Sequence, residues 1–277
     1  MSNAAADLTH TFAANRAVGR IALAVRPSAG TTRRARVSEE GPLRVRCPGP
    51  RARELEAVIV NTGGGMAGGD RFTLDVTVEP DARLVVTTAT AERVYRTLGP
   101  DTTVDVKLTV DAGGALAWLP QETILFDRAR LRRSIEIDLA LDARLLLAEA
   151  IVFGRSGMGE VVDDSSLLDR WRLRRDGVLV HAEAVRLDGA VAAKLAQPAV
   201  AKAGVAVATV LIVPGDDATA GAVRVLGDRF RGEVGISAWN GIAVARLVAA
   251  DGAALRHDLV AVLTALRGTA LPRLWLN

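Results

Sequence analysis

The feature that most limits what this chain can fold into is a repeat of about 30 residues in its central part. Each copy has an alternating apolar and polar segment, a turn that contains Asp-Ala, and a second, more continuously apolar segment. The three clear copies are residues 72–88 (FTLDVTVEPDARLVVTT), 103–118 (TVDVKLTVDAGGALAW) and 134–153 (SIEIDLALDARLLLAEAIVF). Self-similarity at a fixed period indicates structural units that stack on one another and bury their apolar faces together.

The alternation has a period of two, which is typical of strands and not of helices. In the first copy, Phe72, Leu74 and Val76 alternate with polar residues. Aspartate favours turns because its side chain hydrogen-bonds nearby backbone. A weaker fourth copy turns at Asp176 and Gly177. The sequence therefore predicts a mainly β fold of stacked antiparallel sheets, built from strand-turn-strand units of about 30 residues.

The C-terminal third has a different pattern. Residues 205–213 form a continuous apolar run that predicts a buried strand, and residues 218–231 predict a helix. A second helix is predicted to begin at Asp251, a good N-cap, and to end at Gly268. Residues 26–53 look like a loop with one short strand. Because no segment is poor enough in apolar residues to be a linker, we expect one domain over residues 1–277.

Composition excludes several functional classes. Apolar residues make up 49% and the net charge is only +3, so neither disorder nor generic nucleic-acid binding is expected, and aromatics for base stacking are few. The one cysteine, Cys47, excludes a disulfide scaffold and a multi-cysteine zinc site. The N-terminus lacks a signal pattern and no apolar run is long enough to span a bilayer. A cytoplasmic location, with no membrane or nucleic-acid partner, is expected.

A glycine-rich loop is the most unusual segment. It contains Gly63, Gly64, Gly65, Gly68 and Gly69. Its formal G-x-G-x-x-G match does not predict nucleotide binding, because that fingerprint must open a helix and a strand follows here. Two interpretations remain for the loop. It is either a hairpin connection that needs positive φ angles, or a segment constrained for close approach by a partner or an ion.

No nucleophile motif and no H-E-x-x-H motif is present, so the carboxylates carry the chemistry. Glu149 and Glu183 each lie in an Ala-Glu-Ala stretch at the same distance from a turn aspartate. In adjacent strands they would lie about 4.8 Å apart. Such acids within apolar strands pair with arginine, line an oxygen-rich path for a divalent cation, or act as an acid/base pair in a hydrolase.

The chain resembles the UreD family of urease accessory proteins, also called UreH. The motifs that carry the resemblance extend along nearly the whole chain in order: residues 30–33 (GTTR), 41–45 (GPLRV), 61–71 (NTGGGMAGGDR), 87–90 (TTAT), 94–96 (VYR), 119–127 (LPQETILFD), 148–155 (AEAIVFGR), 158–160 (MGE) and 271–275 (LPRLW). Several of them are eight or more residues long, which makes the resemblance specific.

The resemblance implies a function that the residues alone do not reach. UreD-like proteins are non-enzymatic cytoplasmic scaffolds that bind apo-urease, with UreF and the GTPase UreG, during nickel delivery. The family fold is rich in β-structure, and nickel is thought to pass through an internal polar tunnel. Asp70, Glu149 and Glu160 match the motifs and are the expected nickel-path residues. No tightly bound cofactor is expected, only transient nickel.

Two other hypotheses stay open at this point. One is a hydrolase that uses Glu149 and Glu183 as a carboxylate pair. The shortage of aromatic residues to line a ring-binding site and the absence of a nucleophile motif both favour the scaffold. The other is an anion-binding β-protein in which the glycine loop forms a nest of backbone N–H groups.

Overall fold

The computed structural model describes residues 16–49 and 52–276, and it consists of two facing β-sheets with three helices. The first sheet has, in spatial order, β14 (Val178–Gly189), β13 (Ser165–Arg175), β11 (Arg130–Leu139), β8 (Thr102–Val110), β5 (Arg71–Val78), β1 (Val18–Ser28) and β2 (Thr31–Glu40). The second has β16 (Glu233–Trp239), β17 (Ile242–Ala249), β15 (Ala206–Val213), β12 (Arg144–Phe153), β9 (Ala115–Trp118), β6 (Arg83–Thr88), β4 (Leu55–Asn61) and β3 (Leu43–Arg46). Off this path, β10 (Thr123–Leu125) pairs with β12, and β7 (Glu92–Val94) pairs with β10. The helices are α1 (Val191–Leu195), α2 (Asp217–Arg224) and α3 (Gly252–Arg267).

The mainly β class and the stacked repeat are confirmed. Each of the three clear copies is one coil: its first strand lies in the first sheet and its second strand lies in the second sheet. The predicted antiparallel pairing of these units is wrong, because β5, β8, β11 and β13 pair in parallel, and so do β4, β6, β9 and β12.

Turn geometry explains the difference. At Asp81 a single non-glycine residue has a positive φ of 63°, and the chain then crosses to the facing sheet. At Asp176 and Gly177 two consecutive residues have positive φ, 49° and 76°, as in the two-residue turns that close antiparallel hairpins. The hairpin expected of every unit therefore occurs only in the fourth of these copies, where β13 pairs with β14.

Residues 26–53 were predicted as a loop with one short strand, and this is wrong. They contain the end of β1, all of β2 and all of β3. β2 lies at the edge of its sheet, and most of its side chains are exposed and polar, so no apolar alternation marks it as a strand.

The C-terminal predictions are largely confirmed. β15 matches the predicted buried strand. α3 begins after Asp251, whose carboxylate accepts the Ala254 N–H at 2.8 Å, and ends at Gly268 with φ 67°. α2 is shorter than predicted and is followed by a 3₁₀ turn, Gly227–Arg229. Within the described residues, no helix has the length and apolar character needed to cross a bilayer.

Two apolar clusters hold the layers together. The larger one lies between the sheets. The smaller one lies between the outer face of the second sheet and α3, where Leu255, Leu259 and Leu263 are buried. The C-terminal tail is docked against this layer, because the Trp275 indole is buried and donates to the Leu119 carbonyl at 3.0 Å.

Stacked turns add a hydrogen bond between neighbouring coils. The Asp142 carboxylate accepts a hydrogen bond of 3.0 Å from the backbone N–H of Gly113, in the turn of the preceding coil. We predict that Asp142→Ala lowers the free energy of unfolding by about 0.5–1.5 kcal/mol, because it removes this bond. Asp111→Ala, at the equivalent turn position, removes no such bond and is the matched control. Chemical denaturation measures both, and equal losses would contradict an inter-coil role for Asp142.

Candidate functional site

Two cavities lie between the sheets, and Arg133 and Glu149 line both of them. The first, which we call the glycine-loop cavity, has a volume of about 80 Å³ and reaches Asn61, just before the glycine-rich segment, and Met66 in its middle. The second, the C-terminal cavity, has about 210 Å³ and reaches β14 and β17. Each has room for several water molecules.

The glycine-loop cavity has an acidic end at Glu92. The Glu92 carboxylate accepts a hydrogen bond of 3.0 Å from the Asn61 side chain, which also donates to the Gly65 carbonyl at 3.1 Å. Burial raises the pKa of Glu92 above its usual range, although Asn61 and Arg93 oppose the shift. Thr88, Gln121 and Thr123 add polar groups to an otherwise apolar wall.

A buried charge cluster separates the two cavities. Arg133, Glu149 and Asp169 are each no more than 6% exposed. One end of the Arg133 guanidinium donates to the Glu149 carboxylate. Its other side donates to Asp169 through Nε at 3.1 Å and Nη2 at 2.5 Å.

Two tryptophans complete the hydrogen bonding of this cluster. The Trp118 indole donates to Glu149 Oε1 at 2.8 Å, and the Trp171 indole donates to Asp169 Oδ1 at 3.1 Å. Every carboxylate oxygen of Glu149 and Asp169 thus accepts a hydrogen bond, which is what buried charges require. With one cation and two carboxylates, the cluster is formally one negative charge in excess.

The pKa values of the cluster follow from burial and from its members' charges. Burial raises the pKa of Glu149, and the Arg133 guanidinium opposes that shift. Burial by itself would lower the pKa of Arg133, but Asp169 and Glu149 raise it above its ordinary value. Arg133 is therefore a permanent cation held between two acids.

The C-terminal cavity contains a second acidic group, Glu183. Both of its carboxylate oxygens accept from the Arg246 guanidinium, at 2.6 and 3.0 Å, and His181 Nε2 lies 3.4 Å away. Burial alone would raise the pKa of Glu183, but His181 and Arg246 lower it to about 2. Arg246 and Val185 also line this cavity and are exposed, so the cavity reaches the protein surface there.

Of the three residues that the sequence indicated for a nickel path, Glu149 lies at the cavities. Asp70 does not line them. Its buried carboxylate accepts the backbone N–H groups of Ala17 at 2.9 Å and of Ala67 at 2.7 Å, so it fixes the end of the glycine loop to the start of β1.

Glu160 also lies away from both cavities. Its carboxylate accepts from the Arg155 side chain at 2.8 and 3.1 Å and from the Arg155 backbone N–H at 3.1 Å. These hydrogen bonds from Arg155 lower the pKa of Glu160. The contact closes the loop that follows β12.

The glycine loop is approached closely by its own chain. A Cβ atom on Gly65 would lie 2.5 Å from the Tyr95 ring, and one on Gly68 would lie 1.9 Å from Thr97 Oγ1. Met66, between them, pairs with Val94 and so extends the ladder of short strands β10 and β7. Gly64 and Gly69 have positive φ, and Gly63 donates to the Asn61 side chain at 2.9 Å.

The expected adjacency of Glu149 and Glu183 is wrong. Glu149 lies on β12 in the second sheet, whereas Glu183 lies on β14 in the first sheet, because the third and fourth repeat copies end in different sheets. The two acids line the same cavity from opposite sheets.

Sequence reasoning missed Arg133, Asp169 and Glu92. A signal existed for the first two, because both occupy apolar-phase positions of alternating strands: Arg133 follows Leu131 on the inward face of β11, and Asp169 follows Leu167 on that of β13. They are also direct partners in the β11–β13 register. Glu92 lies on a three-residue strand that carries no comparable periodicity.

No fixed metal centre is evident in the described part of the chain, where no three side chains of His, Cys, Asp or Glu converge on one point. The site is instead a series of separated acids: Glu92, the Glu149–Asp169 pair around Arg133, and Glu183. The fold and these cavities define a coiled, two-sheet β-protein with acidic groups distributed through its interior.

Comparison with known proteins identifies the family. A family model described as UreD urease accessory protein matches residues 17–276. A urease accessory protein UreD of Rhodopseudomonas palustris is 56% identical over 269 residues, covering 97% of this chain and 96% of that protein. The Bradyrhizobium diazoefficiens UreD is 54% identical and covers 96% of both chains, and a UreD 3 of a Bradyrhizobium species is 52% identical over 100% and 98%. The chain belongs to the UreD family of urease accessory proteins, as its motifs indicated.

The glycine loop generates a stability prediction. Gly68→Ala places a methyl group against Thr97 and 2.7 Å from the Pro100 carbonyl oxygen, so we expect a loss of about 1–3 kcal/mol in the free energy of unfolding. Gly99→Ala is the control, expected to stay within about 0.5 kcal/mol of the wild type, because Gly99 is exposed and a Cβ there would lie 3.9 Å from its nearest neighbour. Equal, small losses would show that the loop adjusts freely.

Glu183 generates a pH prediction. Because its folded pKa is depressed, its ionised form contributes stability above about pH 4.5, and this contribution is lost as the pH falls toward 2. Glu183→Gln should therefore be less stable than the wild type at pH 7, and the difference should shrink as denaturation is repeated at lower pH. Glu233→Gln, which breaks an exposed ion pair with Lys202, should have little effect. A pH-independent difference for Glu183→Gln contradicts this explanation.

Proposed function

We propose that this protein is a non-catalytic scaffold in the cytoplasm that supports nickel insertion into urease, and that nickel passes through its interior along the two cavities. The observation that carries the proposal is the sequence of acids from Glu92, through Glu149 and Asp169, to Glu183 between the two sheets. Carboxylates and water are weaker, more exchangeable ligands for a divalent ion than sets of thiolates or imidazoles. Such a series suits a cargo that must leave again.

Electrostatics favour entry of a cation. The central cluster carries one formal negative charge in a low-dielectric surrounding, where its attraction for a divalent ion is much stronger than in water. Polar side chains along the glycine-loop cavity, Asn61 and Thr123 among them, offer oxygen atoms to the ion's hydration shell. The ion therefore needs no permanent site in this chain.

The partners of this scaffold are proposed from the family. We infer that apo-urease receives the nickel and that UreF and the GTPase UreG complete the assembly. A protein that conducts an ion between partners must bind them at two separated openings. The two cavities support this arrangement, since they reach opposite parts of the sheets, the glycine loop at one end and β14 with β17 at the other.

The two alternative functions have less support. Both carboxylate oxygens of Glu149 accept hydrogen bonds from Trp118 and Arg133, so this acid is not free to exchange protons with a substrate. In the glycine loop, the N–H groups of Gly63 and Met66 donate to Asn61 and to the Arg93 carbonyl, which leaves fewer donors for an anion-binding nest.

Charge removal tests the proposal. Glu149→Gln keeps the shape of the side chain and an acceptor for Trp118, and it leaves Arg133 paired with Asp169, so folding should survive. We predict that urease matured with this variant contains several-fold less nickel than urease matured with the wild type. The measurement is metal content of purified urease, together with the amount of urease that co-purifies with the variant.

Glu136→Gln is the matched control for charge. Glu136 lies on β11 near Arg133 but is directed to the outer face, where it pairs with Arg174. The Glu136→Gln variant should leave the nickel content of the purified urease unchanged. Normal nickel content with Glu149→Gln, alone and combined with Glu92→Gln, would remove these cavities from the nickel route.

A further inference from the structure

Arg133 is placed where the two cavities meet. It and Glu149 line both, and its side chain is only 6% exposed. On β11 it occupies an inward position between Leu131 and Ile135, both fully buried or nearly so. Its guanidinium is thus the cation that stands between the glycine-loop cavity and the C-terminal cavity.

A purely structural role does not explain an arginine at this position, because burying its charge costs free energy of desolvation. A buried ion pair loses most of its Coulomb attraction to desolvation, and well-packed apolar residues of similar size are often as stable. All neighbours of Arg133 on the inward face of β11 are apolar. Arg133 also lines both cavities, so open space adjoins this residue on more than one side, unlike a residue in a close-packed core.

We propose that Arg133 is an exchangeable internal counter-ion: it holds the passage closed by occupying the position between Glu149 and Asp169, and a divalent cation opens the passage by taking that position. This inference rests on the proposed nickel route and adds the group that controls passage along it. No bond is made or broken. A guanidinium of charge +1 moves aside and an ion of charge +2 replaces it, so the charges of the two carboxylates are balanced.

The position of Arg133 also explains why the acids of the two cavities are kept apart. Glu92 and Glu183 each lie on one side of the cluster, and each lines only one of the two cavities. A cation that reaches either acid meets the positive Arg133 next. Passage then depends on exchange at Glu149 and Asp169, which limits leakage of free metal through the protein.

Two indole groups report directly on this exchange. The N–H of Trp118 donates to Glu149 and the N–H of Trp171 donates to Asp169. Nickel(II) is paramagnetic, so an ion bound to these carboxylates broadens the indole ¹H–¹⁵N signals of both residues. Trp275 lines neither cavity and serves as the internal control. Trp239 lies 6.1 Å from the ring of His181, the neighbour of Glu183, so its signal reports nickel at Glu183 and is not a control.

The experiment is a nickel titration of the full-length protein, followed by the indole signals, in the wild type, Arg133→Met and Arg133→Lys. Removing the positive charge should lower the nickel concentration that half-broadens the Trp118 and Trp171 signals at least about ten-fold. Lysine reaches one carboxylate at a time and cannot donate the paired hydrogen bonds of a guanidinium. The nickel concentration that half-broadens the signals of Arg133→Lys should therefore fall between those of the wild type and of Arg133→Met. Arg132→Met, an exposed outer-face neighbour, should match the wild type.

Equal nickel dependence of Trp118 and Trp171 in the wild type and in Arg133→Lys, a variant that keeps the buried charge and so favours folding, would overturn the proposal. Broadening of the Trp275 signal at the same nickel concentration as the Trp118 and Trp171 signals would also overturn it. These readings use the isolated protein and nickel alone. They are independent of urease nickel content, so failure of the counter-ion role is distinguishable from failure of the nickel route itself.

Discussion

The in-register, parallel stacking of the coils is the constraint on which the rest of the structure depends. Because β5, β8, β11 and β13 pair residue by residue in parallel, side chains at equivalent positions of successive coils lie side by side on the inward face. This places Arg133 directly beside Asp169. The facing strand β12 then supplies Glu149, and the three charges close on one another across the two sheets.

The same stacking makes a polar interior possible without loss of the fold. The apolar positions around the cluster are filled by aliphatic and aromatic side chains, and neighbouring strands of each sheet hydrogen-bond to one another. The cluster in turn satisfies itself through two indole donors. A coil whose turns cross from one sheet to the other leaves space between the layers. Here the buried charged side chains, and not packed apolar side chains, separate the two cavities in that space. The sheets can therefore stay regular while the interior between them keeps buried charges and open space.

Sequence reasoning reached the class of the fold because period-two alternation and the Asp-Ala turns are local signals. The pairing direction was missed because the same residue types occur in the turn of a hairpin and at the corner of a coil, as at Asp81. Only the backbone dihedral angles of the turn residues distinguish the two kinds of turn. Glu149 was found because a carboxylate within an apolar run is conspicuous. Asp70 and Glu160 match family motifs, yet their contacts with backbone N–H groups and Arg155 depend on loop geometry that no pattern encodes.

Arg133 and Asp169 could have been found, since each breaks the apolar phase of its strand. Their partnership could not, because it requires the register between β11 and β13, which are separated in sequence by β12. The contact between Glu92 and Asn61 was missed for a similar reason, since it joins the last residue of β4 to a three-residue strand 31 positions further along the chain.

Anomalous diffraction at the nickel absorption edge, from crystals of the protein soaked in a nickel salt, tests the central claim most directly. The account predicts anomalous peaks between the two sheets, beside the carboxylates of Glu92, Glu149, Asp169 or Glu183, and loss of the central peak in Glu149→Gln crystals. Peaks confined to the outer surface of the protein, with both cavities empty of nickel, would contradict it.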